Sequence, residues 1–304
     1  MPQPVDLADW QSDEEFAIFP VGSKPKRMII CPTDTDSPGL IADHSYLFKT
    51  PEGWQSHQIW SELIAYEIAQ LTGLDVPRCH IGFDSRSGEI GALIEFFYGY
   101  PGEHSPARFI HASDLLRLTN DRSDRPHGVR LNIWLCKRLG LVDVENWWAK
   151  VLAFDALIGN TDRHPENWGF LVRSEGAEPQ FAFAPAFDNA TSLGYEITQA
   201  RLPAMSEARQ LEAYVNRGTH HCSWDPSDTH GSKHLELCGK LLDAHPEAAN
   251  AMQELVDFSA DDVAAVLQRC AGYDVTTPFT PERANFVGRL IENRRIKLAA
   301  LCGG

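Results

Sequence analysis

The texture of the chain changes near Tyr100, and that change limits the fold more than any single motif does. Before it, short apolar runs such as RMIIC (27–31), YLF (46–48) and ALIEFF (92–97) are separated by Gly, Pro, Asp and Ser, as strands joined by turns would be. One helix interrupts them. In SHQIWSELIAYEIAQLTG (56–73), Ile59, Trp60, Leu63, Ile64, Ile68 and Leu71 recur at helical spacing, with Ser56 as cap and Gly73 as stop. After it, helical patterns dominate: 113–118, 128–140 and 142–158, then KHLELCGKLLDAH, ADDVAAVLQRC and TPERANFVGRLIENRRIKLAAL. Between them FDALIGNTDRHPENWGF (154–170) leads into a hairpin with its tip at 174–179, and polar stretches at 120–127 and 218–232 read as mobile loops. There is no internal repeat. The pattern predicts a two-lobed α+β chain, with a small β-rich N-lobe over 1–100 and a larger helical C-lobe over 101–304.

Composition narrows the function. With 304 residues, 43% of them hydrophobic, and with 8 Trp and 15 Phe, the chain can fill a sizeable core. Its net charge of −15 argues against direct nucleic-acid binding, which needs clustered Lys and Arg. An anionic ligand could still be held through metal ions. The 7 cysteines (31, 79, 136, 222, 238, 270 and 302) form no C-x-x-C pair, which predicts free thiols in a reducing compartment. MPQPVDLADW lacks the basic and apolar regions of a signal peptide, and no apolar run approaches the roughly 18 residues of a membrane span. The expectation is a cytoplasmic protein with no membrane partner.

The polar break after Gly159 carries the chemistry. Asp162 and Asn167 stand at Asp-x-x-x-x-Asn spacing, with Pro165 between them to stop the helix. The catalytic loop of protein kinases, H-R-D-L-x-x-x-N, has the same spacing. An acid there can orient a hydroxyl and accept its proton, while a neutral amide oxygen can hold a divalent ion against phosphates. Such chemistry needs a second metal ligand, and FAFAPAFDNATSLG supplies Asp188 at the end of a strand-like run. It also needs a cation for the α/β-phosphates, with a carboxylate to hold it. Lys49 ends the YLF strand, and the helix after it offers Glu62 and Glu67.

These residues lie in ordered blocks: GSKPKR (22–27), YLFKTP (46–51), SELIAYEIAQLTGLDVP (61–77), LIEFFYG (93–99), ALIGNTDRHPENWGF (156–170) and FAPAFDN (183–189). Through them the chain resembles the HipA-like serine/threonine kinases, known from bacterial toxin–antitoxin systems. The resemblance spans most of 20–195 and implies a two-lobed protein-kinase-like fold using ATP and Mg2+, with a protein Ser or Thr as acceptor and an antitoxin-like protein as partner. By the same resemblance Asp162 is the catalytic base, with His164 supporting its loop, and Asn167 and Asp188 are the metal ligands. Lys49 contacts the phosphates, and residues 93–97 form the hinge at the adenine, with Glu95, Phe96 and Phe97 lining it. GSKPKR is the phosphate-covering loop: Gly22 permits close backbone approach, Lys24 or Lys26 adds charge, and Ser23 is either a turn residue or an autophosphorylation site. The phosphate loop already begins near residue 22, so the extra N-terminal subdomain of longer members is not expected here. The family register points to Glu62 as the partner of Lys49, whereas the helical wheel sets Glu67 amid apolar residues, where a carboxylate needs a partner.

Three alternatives stay open at this level. Asp-Arg-His-x-x-Asn also occurs in phosphoinositide-type lipid kinases, although no basic or amphipathic membrane-binding face is evident in this chain. A non-catalytic nucleotide-binding module on the same fold would be expected to lose one of Lys49, Asp162, Asn167 or Asp188. Finally, His220, His221, Cys222, His230, His234 and Cys238 crowd one region, as a metal site or as histidines scattered along a polar loop.

Overall fold

The computed structural model of the chain describes residues 2–13, 26–35, 37–119, 127–174 and 179–303. Gly22, Ser23 and Lys24 of the expected phosphate loop lie outside the described residues, whereas Lys26 opens a strand. In chain order the first elements are β1 (Val5–Asp6), β2 (Gln11–Ser12), β3 (Lys26–Ile30), β4 (Ser45–Lys49), α1 (Gln58–Thr72), β5 (Cys79–Asp84), β6 (Glu89–Glu95) and β7 (Arg108–His111). The chain continues through α2 (Ala112–Leu116), α3 (Val129–Arg138), α4 (Val144–Ile158), β8 (Gly169–Arg173) and β9 (Gln180–Phe183). It finishes with α5 (Leu202–Met205), α6 (Ala208–Arg217), α7 (His234–Ala244), α8 (Ala249–Glu254), α9 (Ala260–Ala271) and α10 (Pro281–Cys302).

A six-stranded sheet runs in the order β1-β5-β6-β4-β3-β2. Only the β1–β5 pair is parallel. The two-residue period of a strand divides β4 between its faces. Tyr46 and Phe48 join Leu7, Ile29, Cys31 and Leu93 in a small core on one side, while Leu47 packs into the main core with α1. Lys49, in phase with Leu47, thereby falls on the α1 side. Gly82 and Gly91 face each other across β5 and β6. A Cβ on either would come within 2.9 and 2.7 Å of the Phe48 ring, so the missing side chains make room for it.

Helix α1 is buried along both flanks and stops where Gly73 adopts φ 67°. It packs on β5 and β6 on one side and on α9 on the other. Trp60 Nε1 donates to Thr277 O at 2.9 Å. The helical part is built around α4, which contacts α3, α7, α8 and α10. The β8–β9 hairpin joins β7 in a three-stranded antiparallel sheet. The tip expected at 174–179 is described only at its two ends. Among the described residues, no helix is long and apolar enough to cross a membrane.

The segment at 218–232, expected as a mobile polar loop, is instead tied down. His220 N and Ser232 N donate to Ser232 O and Cys222 O, and Val129 N to Ser223 O. His220, Cys222 and Ser223 are buried. His220 and Cys222 are turned inward, beneath the loop that follows α4, whereas Thr219, Ser227, Thr229 and His230 stay exposed.

Candidate active site

Two breaks in regular structure converge beside β4 and α1: the loop between α4 and β8, and the segment after β9. Helix α4 ends because Gly159 takes φ 68°, a left-handed conformation that favours glycine. Asn160 then organises the loop. Its side chain donates to Asp155 Oδ1 at 3.1 Å and accepts from Asp162 N at 3.0 Å. Its carbonyl accepts from His234 Nε2 at 2.7 Å. His164 N donates to Asp162 O, and Asn167 N to His164 O, both at 2.8 Å. The Asn167 side-chain nitrogen donates to Asp162 O at 2.8 Å. That bond orients the amide, whose oxygen has no hydrogen bond within the described residues. Asp162 is half-buried, with Thr191 Oγ1 3.5 Å from its Oδ2.

The second break places Asp188 at φ 56°, a strained conformation for an L-residue and common where geometry serves a site. Lys49 Nζ lies 2.7 Å from Glu62 Oε1 and 2.8 Å from Asp188 Oδ1. Burial works against the Lys49 ammonium, but the charges of Asp188 and Glu62 outweigh it and hold its pKa well above the usual value. Of the two glutamates left open by the sequence, Glu62 is therefore the partner of Lys49. Glu67 pairs with Arg269 of α9 at 2.5 Å, which answers its need for a partner. Glu62 also accepts from Asn189 N at 3.1 Å through its other oxygen.

At the end of β6, Glu95 N donates to Arg78 O and Phe96 N to Ser45 O. Phe96 O is held by His44 Nε2 at 2.6 Å, so both backbone groups of Phe96 are engaged. The Glu95 side chain accepts from the Tyr100 hydroxyl at 2.8 Å. Phe97 stacks on Phe187, the residue before Asp188, with centroids 5.3 Å apart. Lys26 lies directly opposite Lys49 across β3 and β4.

The sequence reading missed Arg163, Asp155, Asn160 and Asn189, all of them buried. Asp155 sends its carboxylate to Arg163 and to His220 Nε2 at 2.9 Å. Burial alone would raise the Asp155 pKa, but the Arg163 charge and the His220 hydrogen bond hold it well below the carboxylate range. The signal was available. A lone acid on the buried side of the apolar helix FDALI must have a partner.

The six His and Cys residues at 220–238 do not converge on a metal among the described residues. His220 and His234 bond Asp155 and Asn160, and Cys222 lies 3.3 Å from His127 Nε2. His230 contacts Thr229 at the surface, and Cys238 is buried in the main core. His220 and His234 thus support the loop from beneath. The oxygen donors Asn167 and Asp188 are a different case. An amide oxygen with no hydrogen bond among the described residues and a partly exposed carboxylate suit a hard divalent cation such as Mg2+.

Comparison with known proteins agrees with this arrangement. Residues 21–266 match the family model of the HipA-like C-terminal domain. No curated protein matches the chain closely enough to count as a relative. The crystal structure of the Helicobacter pylori proinflammatory kinase CtkA is similar in fold, with a TM-score of 0.74 at 16% identity over 98% of this chain and 96% of that one. The Shewanella oneidensis MR-1 HipA, solved with HipB and operator DNA, gives a TM-score of 0.54 at 16% identity. The match covers 95% of this chain but only 65% of that HipA chain. With the family model spanning most of its length, and with the two-lobed kinase-like fold on which it is built, this chain belongs to the HipA-like C-terminal domain family.

Proposed function

We propose that the protein is an ATP-dependent kinase that moves the γ-phosphate of ATP to a Ser or Thr hydroxyl of a protein. The observation that carries this reading is Lys49, held between Glu62 and Asp188 beside a loop that presents Asp162 and orients Asn167. Lys49 would contact the α/β-phosphates, with Glu62 keeping its ammonium in place. Residues 93–97, with Glu95, Phe96 and Phe97, would form the hinge at the adenine, and residues 22–27 would cover the phosphates. Asn167 and Asp188 would hold Mg2+, which supplies charge neutralisation for the phosphates when bound.

In the transfer, the acceptor oxygen forms a bond to the γ-phosphorus as the bond to the β,γ-bridging oxygen breaks, releasing ADP. The acceptor proton passes to the Asp162 carboxylate. His164 would shape the loop: its Nδ1 accepts from Glu166 N at 3.2 Å. Residues 1–100 and 101–304 would act as the two lobes closing on the nucleotide. The HipB seen with the Shewanella HipA suggests an antitoxin-like partner here as well, and the 7 cysteines without a C-x-x-C pair suit the reducing interior of the cell as the place of action.

The test is incubation with labelled ATP and Mg2+, alongside Asp162→Asn. Label on the protein itself or on an added protein, in the wild type only, is the expected result. Label confined to a lipid would overturn the acceptor class, and nucleotide binding without any transfer would overturn the enzyme.

A further inference from the structure

Arg163 stands beside Asp162 in sequence yet is fully buried. A guanidinium offers five N–H donors in one rigid plane, and here each has an acceptor. Nε and Nη2 donate to the two oxygens of Asp155 at 3.0 and 2.7 Å. Nη1 donates to Asn167 O at 2.9 Å and Phe187 O at 2.5 Å, and Nη2 also donates to Asn189 Oδ1 at 2.8 Å. The last three acceptors belong to Asn167 itself and to the two residues flanking Asp188.

Asp188 sits at φ 56°, so the peptide groups on either side of it must be held against relaxation. Arg163 holds the Phe187 carbonyl on one side. On the other, Asn189 N donates to Glu62 Oε2 at 3.1 Å, the carboxylate that also binds Lys49. Behind Arg163, Asp155 is steadied by His220. Because His220 Nδ1 accepts from Cys222 N at 2.9 Å, its Nε2 carries the proton and donates to Asp155 Oδ2. One buried chain of bonds thus runs from His220 through Asp155 and Arg163 to both loops, and on through Asn189 and Glu62 to Lys49. Stability is a poor reason to keep such a pair, since a buried ion pair replaced by apolar groups of similar volume is often no less stable. A planar fork bridging two loops is a better one.

From this geometry we infer that Arg163 is a positioning residue that sets the separation of Asn167 and Asp188, with Asp155 and His220 holding it in register. The inference rests on reading Asn167 and Asp188 as metal ligands. The guanidinium touches no ligand oxygen and takes part in no bond change; it acts through the backbone carbonyl of Asn167 and the peptide groups around Asp188.

The experiment is a Mn2+ titration, followed by electron paramagnetic resonance, of protein saturated with a non-hydrolysable ATP analogue. It compares wild type, Arg163→Lys, His220→Phe and His220→Gln. Thermal melts and metal-free analogue binding are measured on each. Lysine cannot reach both loops from one plane, so Arg163→Lys is expected to weaken Mn2+ about 10–100-fold, as loss of an outer-shell partner does, with metal-free binding unchanged. His220→Phe is expected to lose less, and His220→Gln, whose amide can still donate to Asp155, to recover part of that loss. A folded Arg163→Lys that binds Mn2+ as the wild type does overturns the inference, and so does an equal fall in metal-free binding. Should Arg163→Lys fail to melt cooperatively, His220→Phe decides by the same criterion. A wild type with no analogue-dependent Mn2+ binding would instead overturn the kinase reading, and this inference with it.

Discussion

Asp162 and Asn167 owe their geometry to bonds made by their neighbours: Asn160 holds the amide of Asp162, and Asp162 O holds the side chain of Asn167. Replacing Asp162 by Asn removes the proposed proton acceptor but keeps the shape. Steady-state kinetics should show kcat lower by about 10²–10⁴-fold with KM for ATP little changed; a rate within a few fold of wild type would remove Asp162 from the reaction. Asp188→Ala deletes one of the two carboxylates on Lys49 and the oxygen proposed to hold Mg2+, so transfer should fall below detection even at high Mg2+. Lys49, Asp162, Asn167 and Asp188 stood out in the sequence because the proposed phosphoryl transfer calls for those residue types in that order. Arg163 did not, because an arginine next to an acid in a polar loop reads as solvated. Only burial reveals that its charge is directed inward.

At the scale of elements, α1 decides which glutamate meets Lys49. The helical pattern of 56–73 was plain, and the helix observed is Gln58–Thr72. Its rotation about its own axis depends on β5, β6 and α9 together, which no single segment encodes. Glu62→Gln should therefore abolish most transfer, whereas Glu67→Gln should leave it intact and cost about 0.2–1 kcal/mol in a urea titration, the worth of a partly exposed ion pair. Equal losses of activity would contradict the pairing. Gly159 sets the end of α4. An alanine there adopts a left-handed φ at about 1–2 kcal/mol, and its Cβ would also meet the Arg294 guanidinium at 2.0 Å. The urea midpoint of Gly159→Ala should drop accordingly. Helix α6 escaped the sequence reading because only Leu211 and Val215 are buried along it, too sparse a stripe to stand out.

At the scale of the whole molecule, buried histidines should make the fold sensitive to acid. Burial lowers the pKa of His57 to about 4 and of His234 to about 3, and pushes His127 well below its ordinary value. Each of these histidines is neutral when folded and takes up a proton near pH 6.5 once unfolded. The unfolded chain then binds more protons, so stability is complete above about pH 6.5 and falls as pH drops toward the folded values. Asp155, whose pKa is depressed, adds loss in the same direction at lower pH. Urea midpoints measured from pH 7.5 down to 5 should decline throughout the lower part of that range; a flat profile would mean that these imidazoles are not buried as described.

The local order of side chains was enough to announce a sheet-bearing first part, a helical remainder, the α4 stop at Gly159 and the four polar residues of the candidate site. Periodicity and residue chemistry are properties of short stretches, and short stretches are what a sequence displays directly. The pairing of Lys49 with Glu62, the inward turn of His220 and the Arg163 bridge all join residues on different elements of the chain. Their positions depend on how the helices and sheets pack, and burial of charge, which makes those contacts obligatory, exists only once packing is complete.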